Sequence, residues 1–183
     1  MKKYILVLCL ILIINEGEAS VKKNIIDNLK KINNISFNFS QNINGKTESG
    51  SCKVLYPKKI YCNYNSSNKK ILISNGKSLL IKTNVSNYLY PLEKTPLNLI
   101  LDKNLLLNKI QVLEERIIDD ELISFSFEQN DNKINIFFNK LNFDLVGWQT
   151  TDIYQNLNIT YISSIIKNAE IDDKIFFYPN RTD

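Results

Sequence analysis

The sequence predicts a mainly β fold: an incomplete antiparallel β-barrel of about 10–11 strands, covered by two or three helices. Short segments of alternating apolar and polar residues follow one another through most of the chain. Turn residues separate these segments at hairpin spacing, and only a few segments show helical periodicity. The 44% hydrophobic content is enough for one well-filled core, so we expect a single domain over residues 20–183.

The first element in the chain is a predicted secretory signal peptide over residues 1–19. Two lysines precede an apolar run over residues 4–14, and the small residues Gly17 and Ala19 occupy positions −3 and −1 of a cut before Ser20. The apolar run is about half as long as a helix that spans a bilayer. We therefore expect cleavage and export.

A helix is predicted next, over residues 21–33. Its apolar side chains recur at helical spacing on one face, and Ser20 can cap its N-terminus. The period then changes to two, which predicts a strand beginning at Ile35. Further strands are expected at residues 48–56, 59–65, 70–74, 77–83, 87–90, 109–118, 122–129, 133–139, 143–153, 156–166 and 174–178.

Two connections carry specific signals. In ILISNGKSLLI, residues 71–81, Asn75-Gly76 favours a type I′ hairpin turn. Both arms are apolar at consecutive positions, so both faces of this hairpin must be covered. Farther on, Thr95-Pro96 predicts the N-cap and first residue of a short apolar helix over residues 97–101.

Composition excludes several kinds of chemistry. The chain has no His, which removes Ser-His-Asp and Cys-His pairs and His-ligated zinc. Acidic residues 119–121 and 172–173 lie between apolar runs, where solvated turns are expected. We therefore predict that the protein is not an enzyme and uses no metal and no cofactor. The net charge of +4 comes without a basic stripe, so nucleic acid is not an expected partner.

Two cysteines remain after the predicted cut. If the turn between their strands centres near Pro57, Cys52 and Cys62 stand opposite each other at cross-strand distance. An oxidising compartment then favours a disulfide, and two buried free thiols are the alternative.

The apolar residues of one strand parity exceed what one side of a small sheet requires. A barrel-like sheet whose interior is not filled can hold an apolar ligand, whereas an ordinary packed core is the alternative. The candidate lining residues are Phe37, Phe39, Val54, Ile60, Tyr64, Ile71, Ile73, Leu79, Ile81, Leu99, Ile100, Phe125, Phe127, Ile134, Ile136, Phe138 and Trp148.

Five motifs follow in order through the chain. They are Phe37, Phe39 and Gln41; GSCKVLYPKKIYCNY at residues 50–64; ISNGKSLL at residues 73–80; TPLNLIL at residues 95–101; and Gly147, Trp148, Asp152, Asn156 and Thr160. In this order and spacing they resemble the LolA family of periplasmic lipoprotein carriers.

The resemblance implies a monomeric carrier whose cavity takes the acyl chains of lipoproteins. It implies cargo received from an inner-membrane ABC release complex and delivered to an outer-membrane lipoprotein acceptor. Many members have an Arg that latches the lid at the position of Tyr56, where a phenol offers fewer hydrogen bonds.

Two related alternatives remain. An outer-membrane acceptor of the same fold would need an acylated Cys after the signal peptide, where this chain has Ser20. A periplasmic lipid-binding sensor or regulatory module, similar to the N-terminal domain of envelope-stress regulators, would ordinarily need a second signalling domain.

Overall fold

The computed structural model describes residues 20–129, 131–152 and 154–178. The predicted signal peptide, residues 1–19, lies outside the described residues.

One open antiparallel sheet dominates the described part of the chain. Its strands are β1 Asn34–Ile43, β2 Lys46–Leu55, β3 Lys59–Tyr64, β4 Ile71–Asn75, β5 Ser78–Lys82, β6 Asn87–Pro91, β7 Glu115–Ile118, β8 Leu122–Gln129, β9 Asn132–Asn139, β10 Leu145–Thr151 and β11 Leu157–Lys167. The spatial order is β6-β5-β4-β3-β2-β1-β11-β10-β9-β8-β7. Strands β1 to β6 pair consecutively, as do β7 to β11, and β1 pairs with β11 in the middle of the sheet, so that β6 and β7 are its two edges. This confirms the predicted fold class, an incomplete barrel with helices.

In the part of the chain that the structure describes, three α-helices accompany the sheet: α1 Val21–Lys31, α2 Leu97–Leu101 and α3 Lys103–Val112. Ser20 caps α1, because its hydroxyl accepts a hydrogen bond from the Lys23 N–H at 3.3 Å. Buried side chains of all three helices join those of the strands in one hydrophobic core. The helices therefore cover one face of the sheet, here called the inner face.

The predicted strand over residues 109–118 is wrong in its first half. Helix α3 continues to Val112, and only Glu115–Ile118 forms a strand. Asp102 caps α3 by accepting a hydrogen bond from the Leu105 N–H at 3.2 Å. Leu106 and Ile110, one helical turn apart, are buried on the same side of this helix.

The predicted last strand, residues 174–178, is also wrong. The segment forms a 3-10 turn at Asp173–Phe176, and its Phe176 side chain is fully buried. This turn packs against β3 and β4. Phe176 and Ile73 are both buried, yet neither belongs to the main core on the inner face. The turn therefore covers the opposite, outer face of the sheet at β3 and β4.

The hairpin at residues 71–81 forms, with a turn one residue later than predicted. Strands β4 and β5 are joined by Gly76-Lys77, and Gly76 has a φ of +99°. The Asn75 side chain instead accepts hydrogen bonds from the Lys77 and Ser78 N–H groups, at 3.0 and 3.1 Å. Thr95 likewise does not cap α2, because its hydroxyl donates to the Leu92 carbonyl at 2.8 Å.

Membrane-spanning and metal-binding features are both missing from the described residues. None of the helices there has the length and apolar character needed to cross a membrane. The same residues contain no cluster of three or more His, Cys, Asp or Glu arranged to hold a metal ion.

Candidate functional site

A half-open cavity of about 260 Å³ lies between the inner face of the sheet and the start of α2. Most of its wall is apolar. The lining residues are Phe37, Phe39, Gln41, Ile43, Cys52, Ile60, Cys62, Tyr64, Lys70, Leu72, Leu79, Ile81, Thr95, Pro96, Leu97, Trp148, Thr150, Asn158 and Thr160.

The strand register explains why these side chains meet. Phe37 pairs with Cys52, Cys52 with Cys62, Cys62 with Leu72, and Leu72 with Ile81. Directly paired residues in antiparallel strands project to the same face, a few ångströms apart. The row from β1 to β5 therefore forms a continuous apolar wall.

Seven of the expected lining residues border this cavity. They are Phe37, Phe39, Ile60, Tyr64, Leu79, Ile81 and Trp148. Eight others lie in the packed hydrophobic core to which all three helices contribute, with Phe127 half-buried at its edge. These eight are Val54, Leu99, Ile100, Phe125, Phe127, Ile134, Ile136 and Phe138.

Ile71 and Ile73 lie on the outer face of β4, although both were expected in the cavity. Leu72, between them, lines the cavity instead. Side chains alternate between the two faces of a strand, and all three of these residues are apolar. The sequence alone therefore could not show which of them face the cavity.

The cavity has a polar end that none of the expected lining residues marks. Gln41, Lys70, Thr150, Asn158 and Thr160 line this end. Asn158 pairs with Thr150 across β10 and β11, and Thr160 pairs with Gln41 across β1 and β11. Among the described residues, the buried Oδ1 atom of Asn158 has no hydrogen-bond partner. The residues of this end are brought together by the register between β1 and β11, and no local sequence motif predicts that register.

An aromatic pair lines the middle of the cavity. Phe39 and Tyr64 meet edge to face, with ring centroids 4.9 Å apart. Gly50, paired with both, leaves room for them, since a Cβ there would lie 2.8 Å from the Phe39 ring and 2.2 Å from the Asn63 carbonyl oxygen. A side chain at position 50 would therefore displace the ring.

A partly buried ion pair borders this aromatic pair. Lys70 Nζ lies 2.6 Å from Glu48 Oε2 and 4.1 Å from the centre of the Tyr64 ring. Gln41 Nε2 also donates to Glu48 Oε2, at 2.9 Å. Burial alone would raise the Glu48 pKa, but the bonds from Lys70 and Gln41 outweigh it and hold the pKa below its usual value. Burial, reinforced by the Glu48 charge, raises the pKa of Tyr64 to about 12.

The lowered Glu48 pKa predicts how stability depends on pH. A carboxyl whose pKa falls on folding stabilises the fold above its unfolded pKa, and this contribution is lost as pH falls through the folded pKa. We expect Glu48→Gln to lower the free energy of unfolding by roughly 1 kcal/mol at pH 7. The difference from wild type should shrink below the ordinary pKa of 4.5. Urea unfolding at several pH values measures it, with the exposed Glu114→Gln as control; a difference independent of pH would contradict it.

The disulfide lies in the cavity wall. Cys52 and Cys62 are direct register partners on β2 and β3, as the sequence predicts, and their sulfur atoms are 2.01 Å apart. Both side chains line the cavity. The bond therefore joins two strands of the wall close to where a ligand would lie.

The turn between β2 and β3 holds the junction of α2 and α3. The Lys58 N–H donates to the Leu101 carbonyl at 2.9 Å, and Lys58 Nζ forms a 3.0 Å ion pair with Asp102. The expected latch residue, Tyr56, instead packs against the core beside Lys103. Its hydroxyl end is enclosed, and burial raises its pKa to about 12.

Two residues of the C-terminal motif build a turn at the polar end. Asp152 accepts hydrogen bonds from the Tyr154 and Asn156 N–H groups, at 2.9 and 2.8 Å, and from the Asn156 side chain. The Asp152 pKa is lowered chiefly by the side-chain bond from Asn156. Asn156 also accepts a bond from Asn44 at 2.7 Å, which ties this turn to the one between β1 and β2. The polar groups of Asp152 and Asn156 are therefore engaged in hydrogen bonds within and between these two turns.

Comparison with known proteins gives one family. Residues 30–179 match the family described as outer membrane lipoprotein carrier protein LolA. No curated protein sequence matches the chain.

Solved structures show the same fold at low sequence identity. A LolA superfamily protein from Nitrosomonas europaea is 10% identical, with a TM-score of 0.50 over 87% of this chain and 96% of that one. An uncharacterized conserved protein from Thermus thermophilus is 7% identical, with a TM-score of 0.51 over 87% and 94%. MucB is 8% identical, with a TM-score of 0.50 over 91% of this chain and 64% of MucB.

Proposed function

The chain belongs to the family of the outer membrane lipoprotein carrier protein LolA, and we propose that it carries acylated lipoproteins across the periplasm. The proposal rests chiefly on the apolar cavity under α2. Exposing an acyl chain to water costs about 0.8 kcal/mol per CH₂. A lipoprotein that crosses an aqueous compartment therefore needs an apolar cavity to hold its chains.

Loading requires the cavity to open. A methylene occupies roughly the volume of a water molecule, about 30 Å³, so a cavity of this size holds roughly nine. The chains of a lipoprotein are larger. The N-terminal end of α2 borders the cavity through Pro96 and Leu97, and its C-terminal end is held by Lys58. We infer that α2 is the lid and that its opening breaks the Lys58 contacts with Leu101 and Asp102.

The polar end of the cavity suits the head of the same ligand. An amphiphile with its tail against the disulfide and Leu72 would have its polar end near Asn158 and Thr160. The unpaired Asn158 amide oxygen can accept a hydrogen bond from a peptide N–H. In this proposal the exported protein begins at Ser20 and acts as a monomer. It takes cargo from an inner-membrane ABC release complex and passes it to an outer-membrane lipoprotein acceptor.

The direct test is release of a lipoprotein into solution. The purified protein is mixed with proteoliposomes that contain the release complex of the same cell and a triacylated lipoprotein. We expect a soluble one-to-one complex, measured by light scattering after size exclusion. The control is the same lipoprotein with its acylated Cys replaced by Ser. Formation of the complex with both forms, or with neither, would overturn the carrier function.

The second candidate is a lipid-binding sensor or regulatory module. The likeness to MucB shows the fold alone. A sensor would bind the acylated lipoprotein in detergent without releasing it from the proteoliposomes, so the same experiment separates the two functions.

A further inference from the structure

The inner wall of the cavity continues onto the edge strand β6. Leu79 and Ile81 line the cavity, and their direct partners on β6 are Tyr90 and Tyr88. Partners in an antiparallel pair share a face, so both tyrosines extend the apolar wall without a gap. Yet they are 44% and 53% exposed, so residues 20–178, as far as the structure describes them, leave this part of the inner face uncovered.

We propose that Tyr88 and Tyr90 form an open subsite for the part of an acyl chain that extends beyond the half-open cavity. This inference rests on the carrier function and names where its ligand extends. The cavity accommodates roughly nine methylenes, fewer than a 16-carbon chain contains. The remainder must leave the cavity along an apolar surface or enter water, at a cost of about 0.8 kcal/mol per CH₂.

The two tyrosines have the chemistry for this position. Each ring offers apolar contact area at the water boundary, while its phenol stays hydrated. Ile81 connects the two tyrosines to the part of the wall inside the cavity, because its side chain is half-buried and lines the cavity. Lys82, next along β5, projects to the other face, so its charge points away from the two tyrosines.

The same strand supplies a matched control. Leu89 lies between the two tyrosines, is 61% exposed, and pairs with Leu80 on the outer face. Substituting Leu89 by Ser removes exposed apolar area from β6 and lowers its strand propensity as the tyrosine changes do, but on the opposite face.

The test compares two acylated peptides of one sequence, one with an octanoyl and one with a hexadecanoyl chain, below their micelle concentrations. The octanoyl chain has fewer carbons than the roughly nine methylenes that the cavity accommodates. We expect the double substitution Tyr88→Ser with Tyr90→Ser to weaken hexadecanoyl-peptide binding about tenfold and to change octanoyl-peptide binding by less than about twofold. Leu89→Ser should leave both affinities unchanged.

Three outcomes would overturn the inference about the tyrosines. If the tyrosine variant binds the long chain as wild type does, the lid alone makes room for it. If Leu89→Ser causes the same loss, the effect is one of strand stability. If wild type is a dimer in light scattering and the tyrosine variant a monomer, the strip belongs to a second copy. Failure of wild type to bind either peptide would overturn the carrier function as well.

Discussion

Leu72→Asp is expected to weaken binding of the hexadecanoyl peptide at least about a hundredfold. Leu72 stands in the cavity wall between Cys62 and Ile81. A carboxylate there would be desolvated by the bound chain, at a cost of several kcal/mol, and about 3 kcal/mol corresponds to a hundredfold. Because Leu72 is only half-buried, the fold should survive. Calorimetric titration measures the affinity, and circular dichroism checks the fold.

The neighbouring residue gives the control for this change. Ile71 is also half-buried but lies on the outer face, so Ile71→Asp should bind the peptide like wild type. Equal losses in the two variants would point to a general effect on β4. Undiminished binding by Leu72→Asp would mean that the ligand lies elsewhere.

Loss of the disulfide is expected to have the largest effect on stability. The bond joins residues ten apart in sequence. A loop of that length predicts a loss of about 2–3 kcal/mol in the free energy of unfolding for Cys52→Ala with Cys62→Ala. The melting temperature should fall by roughly 5–10 °C. Thermal and urea unfolding under oxidising conditions measure both.

A chemical control accompanies this variant. Wild-type protein treated with a reductant should gain the mass of two hydrogen atoms and lose a similar amount of stability, whereas the double variant should not respond. Thiol labelling of both cysteines in the native, untreated protein would show that no bond exists and would contradict this prediction.

Local pairing made much of the fold predictable. Each hairpin brings together residues close in sequence, so alternation and turn residues specify the partner strand and nearly specify the register. Cys52 and Cys62 illustrate this, because the position of one turn sets their pairing. The predictions failed where the local sequence pattern is compatible with both a strand and a helix. Residues 109–112 carry apolar residues that suit a strand or a helix, and the capped, buried α3 decides between them.

The sequence by itself determined the class of fold, the run of hairpins, the N-terminal helix and the family. It also indicated an apolar interior. Only the tertiary structure decided which half of that interior stays open, because this depends on where α1 and α3 pack against strands distant in sequence. It likewise decided that Leu72 faces the cavity and Ile71 does not. Periodicity shows that side chains alternate, but the choice of face depends on the partners that cover each side: α2 on the inner face and the Phe176 turn on the outer.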